Sequence, residues 1–261
     1  MLPFISVFEK KIPMYGLCIA VGLVVSSLIS CVRAKKRELS VDDLIIFIAC
    51  IVGMALVGAG LFYDFVTYGV EYIILAIQSG NFRMLLEQTG LVFYGGMIGG
   101  LLGMLLAQKI TGCHASIYYS SVVPTVPMGH AFGRLGCFFA GCCYGIEFHG
   151  KLGVCFPYSV TGLQPDIPVL PVQLYEMVGD IFISIILFLK YRDKRDGKNA
   201  LVDYILLYAS MRFLLEFLRG DEIRGKWFFF STSQWISLLL IMWIITSNLI
   251  RIKYKQRLCK K

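Results

Sequence analysis

Apolar runs of about twenty residues recur along the whole chain, and a run of that length crosses the hydrocarbon core of a bilayer as a helix. Seven are read, near residues 15–32, 44–63, 91–107, 115–133, 172–189, 201–218 and 233–250, the fourth broken by Pro124 and Pro127. Once they are removed, no stretch is long enough for a soluble domain of useful size. The expectation is therefore an all-α integral membrane protein, one polytopic domain over residues 1–261. It should have about seven transmembrane helices and an outward-facing loop and arm region. Composition agrees: 57% of residues are hydrophobic and the mean hydropathy is +0.71, beyond a soluble domain, which is nearer half apolar.

The net charge of +8 is gathered in clusters at Arg33–Arg37, Lys190–Lys198 and Arg251–Lys261. Such clusters suit the cytoplasmic side of a membrane and its anionic headgroups rather than nucleic acid. All three fall on one side if the N-terminus is outside and the C-terminus inside. Residues 64–90, 134–171 and 219–232 then face outward. Within them, Tyr68–Ile77 reads as a helix lying in the interface and Gly153–Phe156 as a β-like piece. Lys10, Lys11 and the run ending at Cys31 imitate a lipoprotein signal, but the basic cluster that follows resists translocation, so this segment is expected to stay as the first span. The cysteine count is nine, an odd number, and Cys18 and Cys50 lie inside spans. That argues against a disulfide framework.

The densest chemistry lies in Gly129–Gly145, GHAFGRLGCFFAGCCYG. An arginine at the edge of a membrane segment is costly, so Arg134 is a candidate functional residue. His130 lies one helical turn before it and would share its face. Imidazole suits proton transfer near neutrality, whereas Tyr15 and Tyr94 are better hydrogen-bond donors than bases. Arg212 and Glu216 stand four apart and can neutralise each other, with Arg219 following. Glu176 and Asp180 form a second pair with that spacing, whose natural partners are the arginines. Arg134 with Arg212 or Arg219 would make a cationic fork, and guanidinium is the group that holds phosphate bidentately. In a membrane the obvious phosphate is a phospholipid headgroup. Glycines four apart in Tyr94–Gly103 present a smooth face to another helix or to a lipid. Cys137, Cys142 and Cys143 lack the paired spacing of a zinc site, and a fourth ligand would have to come from Cys155, His149 or His130. No metal and no cofactor is expected, which leaves a disulfide or small apolar packing as the readings of these cysteines.

In their order along the chain these motifs resemble the bacterial prolipoprotein diacylglyceryl transferases. IPMYGLCIAVG is similar to that family's opening Tyr-Gly segment, and VGAGLFYDF to its second span. YGGMIGG is similar to its glycine-rich third span, and GRLGCFFAGCCYG to its signature GRxGNFxNGExxG. PVQLYE, RFLLEFLR and STSQWISLLL resemble its later motifs. The resemblance implies transfer of a diacylglyceryl group from phosphatidylglycerol to the lipobox cysteine of a prolipoprotein signal peptide, with glycerol phosphate leaving. It also implies that the reaction occurs at the outer face of the bacterial cytoplasmic membrane. On this reading Arg134, Arg212, His130 and Tyr94 are the catalytic candidates. Arg134, Arg212, Arg219, Tyr15, Gly95, Gly96, Gln173 and Glu176 are the candidates for binding phosphatidylglycerol.

The chain departs from the family pattern where protons would move. Tyr94 stands at the family's histidine, Cys137 and Cys142 at the signature's Asn and Glu, Gly60 at an arginine and Leu170 at a second histidine. His130, or a thiolate at Cys142 or Cys143, is then the substitute base. Two other functions fit the same residues. One is transfer of a lipid group to a different acceptor; the other is lipid or metal binding without catalysis.

Overall fold

The computed structural model describes residues 3–7, 10–81, 93–192, 197–220, 226–227 and 229–258. Residues 91 and 92 at the start of the expected third span, and the Tyr94 side chain, lie outside the described set. The chain divides into two compact units, Cys31–Tyr118 and Met1–Ser30 with Tyr119–Lys261.

The unit Cys31–Tyr118 begins in the last turns of α1 (Met14–Lys36), where Arg33, Lys35 and Lys36 sit at the negative end of the helix. Helix α2 (Val41–Tyr68) opens with the Ser40 side chain accepting from the Asp43 amide at 3.2 Å and carries Asp42 and Asp43 in its first turn. Both features match the positive end of a helix. A short α3 (Val70–Gln78) follows after Gly69, in the place expected for an interfacial helix. Helix α4 (Phe93–Thr111) packs along α2 through small residues. A Cβ added at Gly95, Gly99 or Gly103 would collide with the carbonyls of Gly58, Met54 and Cys50 respectively. That stripe is what lets two helix backbones touch without a hydrophobic driving force between them. A 3₁₀ turn (Ala115–Tyr118) closes the unit, with the Tyr118 hydroxyl donating to the Ser40 carbonyl at 2.9 Å.

The second unit starts with a hairpin, β1 (Phe4–Val7) and β2 (Lys10–Pro13), that leads into α1. The broken fourth segment consists of α5 (Tyr119–Val122), a 3₁₀ turn (Val123–Thr125) and α6 (Val126–Ala140). Pro124 and Pro127 interrupt the backbone ladder, and hydroxyls take up carbonyls near the break, as broken helices in apolar surroundings require. Ser184 donates to the Pro124 carbonyl at 2.7 Å, Ser26 to the Thr125 carbonyl at 3.1 Å, and Ser30 and Thr125 share a buried bond of 2.8 Å. Helix α6 runs past the boundary expected at residue 133 and ends only at Gly141, whose φ of 66° suits a glycine C-cap. Arg134 is thus on a helix, not at the start of an outer loop.

Between Gly141 and Pro171 the chain is irregular. The β-like piece reduces to one antiparallel bridge, with Val154 and Val169 exchanging bonds of 2.9 and 3.1 Å. Helix α7 (Val172–Lys190) packs against α6 on one side and α8 (Ala200–Leu215) on the other. A 3₁₀ turn (Glu216–Leu218), a small hairpin of β3 (Lys226–Trp227) and β4 (Phe230–Ser231), and α9 (Thr232–Leu258) complete the unit. Its apolar centre is Val123, Ile183, Leu187, Tyr191 and Ala200.

The protein is therefore mostly helical. Among the described residues, three helices are long and apolar enough to cross a membrane, Met14–Lys36, Val41–Tyr68 and Val172–Lys190. The number rises to four if Gly95–Thr111 and Ala115–Ala140 form one broken span. The seven crossings expected from the sequence are more than this, because α8 has only 16 residues and the apolar part of α9 is only Thr232–Ser247.

Candidate active site

Three neighbouring elements present polar groups at helical spacing. Helix α6 carries His130, Arg134 and Cys137, α7 carries Gln173, Glu176 and Asp180, and the end of α8 with its 3₁₀ turn carries Arg212, Glu216 and Arg219. Spacings of three and four residues put each set on one face of its helix.

Glu176, 2% exposed, is where they meet. Arg134 Nε lies 2.6 Å from its Oε2, Arg212 Nη1 bonds its Oε1, and Arg219 Nη1 lies 3.5 Å from the same oxygen. Glu216 takes a second share of the charge, with its Oε2 2.6 Å from Arg212 Nη2 and 3.9 Å from Arg219 Nε. Ser231 of β4 donates to Glu216 Oε1 at 2.9 Å. Three guanidinium groups thus face two carboxylates in a nearly dry setting, and Arg219 also reaches the Cys143 sulfur. The Arg134–Glu176 approach is an ion pair off the hydrogen-bond line: among the described residues, neither Arg134 Nε nor Glu176 Oε2 has a hydrogen-bond partner.

One turn away, His130 Nδ1 lies 3.2 Å from Oδ2 of the fully buried Asp180, and the imidazole centroid is 5.2 Å from the Tyr208 ring. Asp180 had been expected to pair with the arginines. Instead, the four-residue step from Arg134 back to His130 on α6 and from Glu176 on to Asp180 on α7 matches one carboxylate to each. This too is a close approach off the hydrogen-bond line, since among the described residues neither Asp180 oxygen has a hydrogen-bond partner. A carboxylate beside Nδ1 favours a proton there and leaves Nε2 as the nitrogen able to accept one.

The remaining candidates divide. Tyr15, on the first turn of α1, lies over Gly136, where an added Cβ would meet its Cα at 3.1 Å and its ring at 3.2 Å. Gln173 is fully buried and its Nε2 donates to the Cys142 carbonyl at 2.7 Å, tying down the turn after α6. Tyr94, Gly95 and Gly96 belong to the unit Cys31–Tyr118. There Gly95 lies against Gly58 and Phe62, while Gly96 has only ordinary contacts with Ala55 and Ala59, both at 3.5 Å.

After Gly141 the chain turns back on itself, with Cys143 at a φ of 59°, and the sulfurs of Cys137, Cys142 and Cys143 come within 4.8 Å of one another. The Cys143 thiol is held well below the usual thiol range by hydrogen bonds from Cys137 and Cys142 and by the Arg219 guanidinium beside it. Asp180, Glu216, Ser231 and Tyr208 were not among the sequence candidates for the site. Two of them were visible as acids at i, i+4 spacing from a chosen residue.

This is a helical membrane protein with a buried guanidinium cluster of the kind that grips phosphate, and a histidine–carboxylate pair beside it. A profile of prolipoprotein diacylglyceryl transferases matches residues 3–250, and the chain belongs to that family. It is 30% identical over 262 residues, covering 98% of both chains, to phosphatidylglycerol–prolipoprotein diacylglyceryl transferase 2 of Clostridium perfringens. It is 34% identical over 242 residues to the phosphatidylglycerol–prolipoprotein diacylglyceryl transferase of Clostridium tetani, covering 91% of this chain and 92% of that one. To the enzyme of the same name in Clostridioides difficile it is 30% identical over 219 residues, covering 84% and 83%.

Proposed function

We infer that the chain is a transferase that moves the diacylglyceryl group of phosphatidylglycerol onto the lipobox cysteine of a prolipoprotein, the first step of lipoprotein maturation. The observation that carries the reading is the convergence of Arg134, Arg212 and Arg219 on the buried Glu176. A lipid phosphate entering there meets donors already pointed at one spot, and in a dry site such donors stabilise charge on a leaving group far more than water does. Glu176 holds the three guanidinium groups together, Gln173 holds the turn behind them, and Tyr15 supplies a phenol donor over α6. On the family resemblance alone, Gly95 and Gly96 are assigned to the donor lipid and Tyr94 to the catalytic set.

His130 is the base in this scheme. Its Nε2 takes the proton of the lipobox thiol, and the thiolate is the nucleophile. The sulfur attacks the glyceryl carbon that bears the phosphate, the carbon–oxygen bond breaks, and glycerol phosphate leaves with the electron pair. A thioether remains on the peptide.

The finer membrane arrangement follows the charge pattern. We assign seven crossings by adding α4, the Ala115–Ala140 segment, α8 and the first part of α9 to the three long apolar helices. The N-terminus is outside, the C-terminus is cytoplasmic, and the arginine array lies toward the outer face of the bacterial cytoplasmic membrane. The basic clusters at Arg33–Arg37 and Arg251–Lys261 support this side assignment. The test is a transfer assay with purified protein, phosphatidylglycerol and a lipobox peptide, read by peptide mass. A diacylglyceryl mass gain that disappears in Arg134→Ala supports the reading. Bound phosphatidylglycerol with no mass gain would mean that the acceptor is something else.

A further inference from the structure

We propose that Cys137, Cys142 and Cys143 form a binding site for a thiophilic d¹⁰ cation, in which three thiolates ligate one ion. The proposal shares Arg134 and Arg219 with the transfer reading, but its test does not depend on transfer. Spacing along the sequence gave no reason to expect it, because Cys-x₄-Cys-Cys lacks two CxxC knuckles. The fold supplies what the spacing lacks. Helix α6 delivers Cys137 from its last turn, the Gly141 C-cap reverses the chain, and the left-handed backbone at Cys143 turns that residue back toward the helix end. The three sulfurs then lie within 4.8 Å of one another. An ion with metal–sulfur bonds of about 2.3 Å in a trigonal plane needs sulfurs about 4 Å apart, so closing the site takes rotamer adjustments, not backbone movement.

The surroundings favour the filled site. Three thiolates around a monovalent ion carry two negative charges, and around a divalent ion one. Arg219, hydrogen-bonded to Cys143, and Arg134, beside Cys142, offset that charge. Cys137 is 7% exposed, while Cys142 and Cys143 are partly open to solvent, giving a buried anchor with an approach from one side. Among the described residues no fourth His, Cys, Asp or Glu joins the cluster. This points to ions content with three soft ligands, Cu⁺ first and then Cd²⁺ or Zn²⁺ with an open position. Ligation releases the thiol protons to solvent and changes no oxidation state.

The experiment uses the full-length protein, purified in detergent and fully reduced, titrated with Cd²⁺. One equivalent should saturate an ultraviolet sulfur-to-cadmium band, and bound Cd²⁺ should raise the thermal unfolding midpoint. Cys137→Ser, Cys142→Ser and Cys143→Ser should each weaken binding by at least about 100-fold, the upper end of what losing even an outer-shell partner costs. Cys155→Ser should bind like the parent. As a check that needs no variant, Cd²⁺ should protect the three cysteines from alkylation, mapped by peptide mass, while Cys155 stays reactive. Cu⁺ should displace Cd²⁺ and remove the band. A band that survives the triple serine variant, or alkylation of the three cysteines unaffected by Cd²⁺, would overturn the proposal. So would a disulfide among the three that forms in place of the ion.

Discussion

Glu176 holds three cations at once, so replacing it with the isosteric glutamine tests the array most directly. In Glu176→Gln, Arg212 keeps Glu216 at 2.6 Å and Arg219 keeps it at 3.9 Å, but Arg134 loses its only ion pair among the described residues. Breaking a buried ion pair from one side costs about 3–5 kcal/mol, because the partner charge stays buried and uncompensated. At roughly 2–4 °C per kcal/mol for a chain of this size, the unfolding midpoint in detergent should fall by on the order of 10 °C. The guanidinium charge that the substitution uncovers makes the variant responsive to anions. Phosphatidylglycerol at a hundred times its dissociation constant should restore about 2.7 kcal/mol by mass action. Diacylglycerol, with the same chains and no phosphate, should restore almost nothing. The assay is thermal unfolding followed by tryptophan fluorescence or by thiol accessibility, with each lipid in turn. An unchanged midpoint, or equal rescue by both lipids, would refute the claim that Glu176 stands where a phosphate would balance the arginines.

Other outcomes follow from the same geometry. Asp180→Asn should lower kcat by about 10²-fold with little change in KM, since general-base catalysis contributes 10²–10⁴-fold. The double variant with His130→Ala should be no worse than His130→Ala alone, as expected of groups acting as a unit. Arg134→Lys keeps the charge but loses the planar fork. It should cost about 2 kcal/mol, or roughly 30-fold in kcat/KM, measured against the parent with phosphatidylglycerol as the varied substrate. Gly99→Leu would push a side chain into the Met54 carbonyl, an overpacking worth at least about 1–3 kcal/mol. Reduced recovery of folded protein on size-exclusion chromatography would register it. Thr125→Val removes the buried hydroxyl pair with Ser30 and should lower stability by about 1 kcal/mol, read from the same thermal scans.

Several features of the fold were legible from the sequence, and the reasons they were legible are physical. Pro124 and Pro127 announce the break before α6, because proline removes backbone donors. The glycines of Tyr94–Gly103 announce close helix packing, and α2 is the helix that takes it. The end of α6 was misplaced because Arg134 looks like an exit from the membrane. Its charge is instead met inside by Glu176, which lies 42 residues further along the chain and leaves no local trace. The same cause hid the partner of Asp180. Spacing alone made it a second acid for the arginines, and only the crossing of α6 and α7 turns it to His130. The N-terminal hairpin went unread because its strands are four residues each and one carries two lysines. The cysteine cluster depends on two left-handed residues in a row of small ones, a local geometry with no hydrophobic period to reveal it.

The departures from the family signature gain a common logic once the array is laid out. The signature's acid is replaced by Cys142, so the carboxylates within reach of the arginines are Glu176 and Glu216, and both are committed to them. Glu176 holds three guanidinium groups and Glu216 two, so protonating either would strand a buried cation. The proposed scheme therefore places the proton acceptor outside the ion-pair set but within one helical turn of it. Among the described residues His130 meets that condition on α6 itself, and Asp180 lies 3.2 Å from it without being drawn into the arginine network. On the proposed assignment the arginine array and His130 are each set beside a carboxylate of their own, Glu176 and Asp180, one helical turn apart on α7.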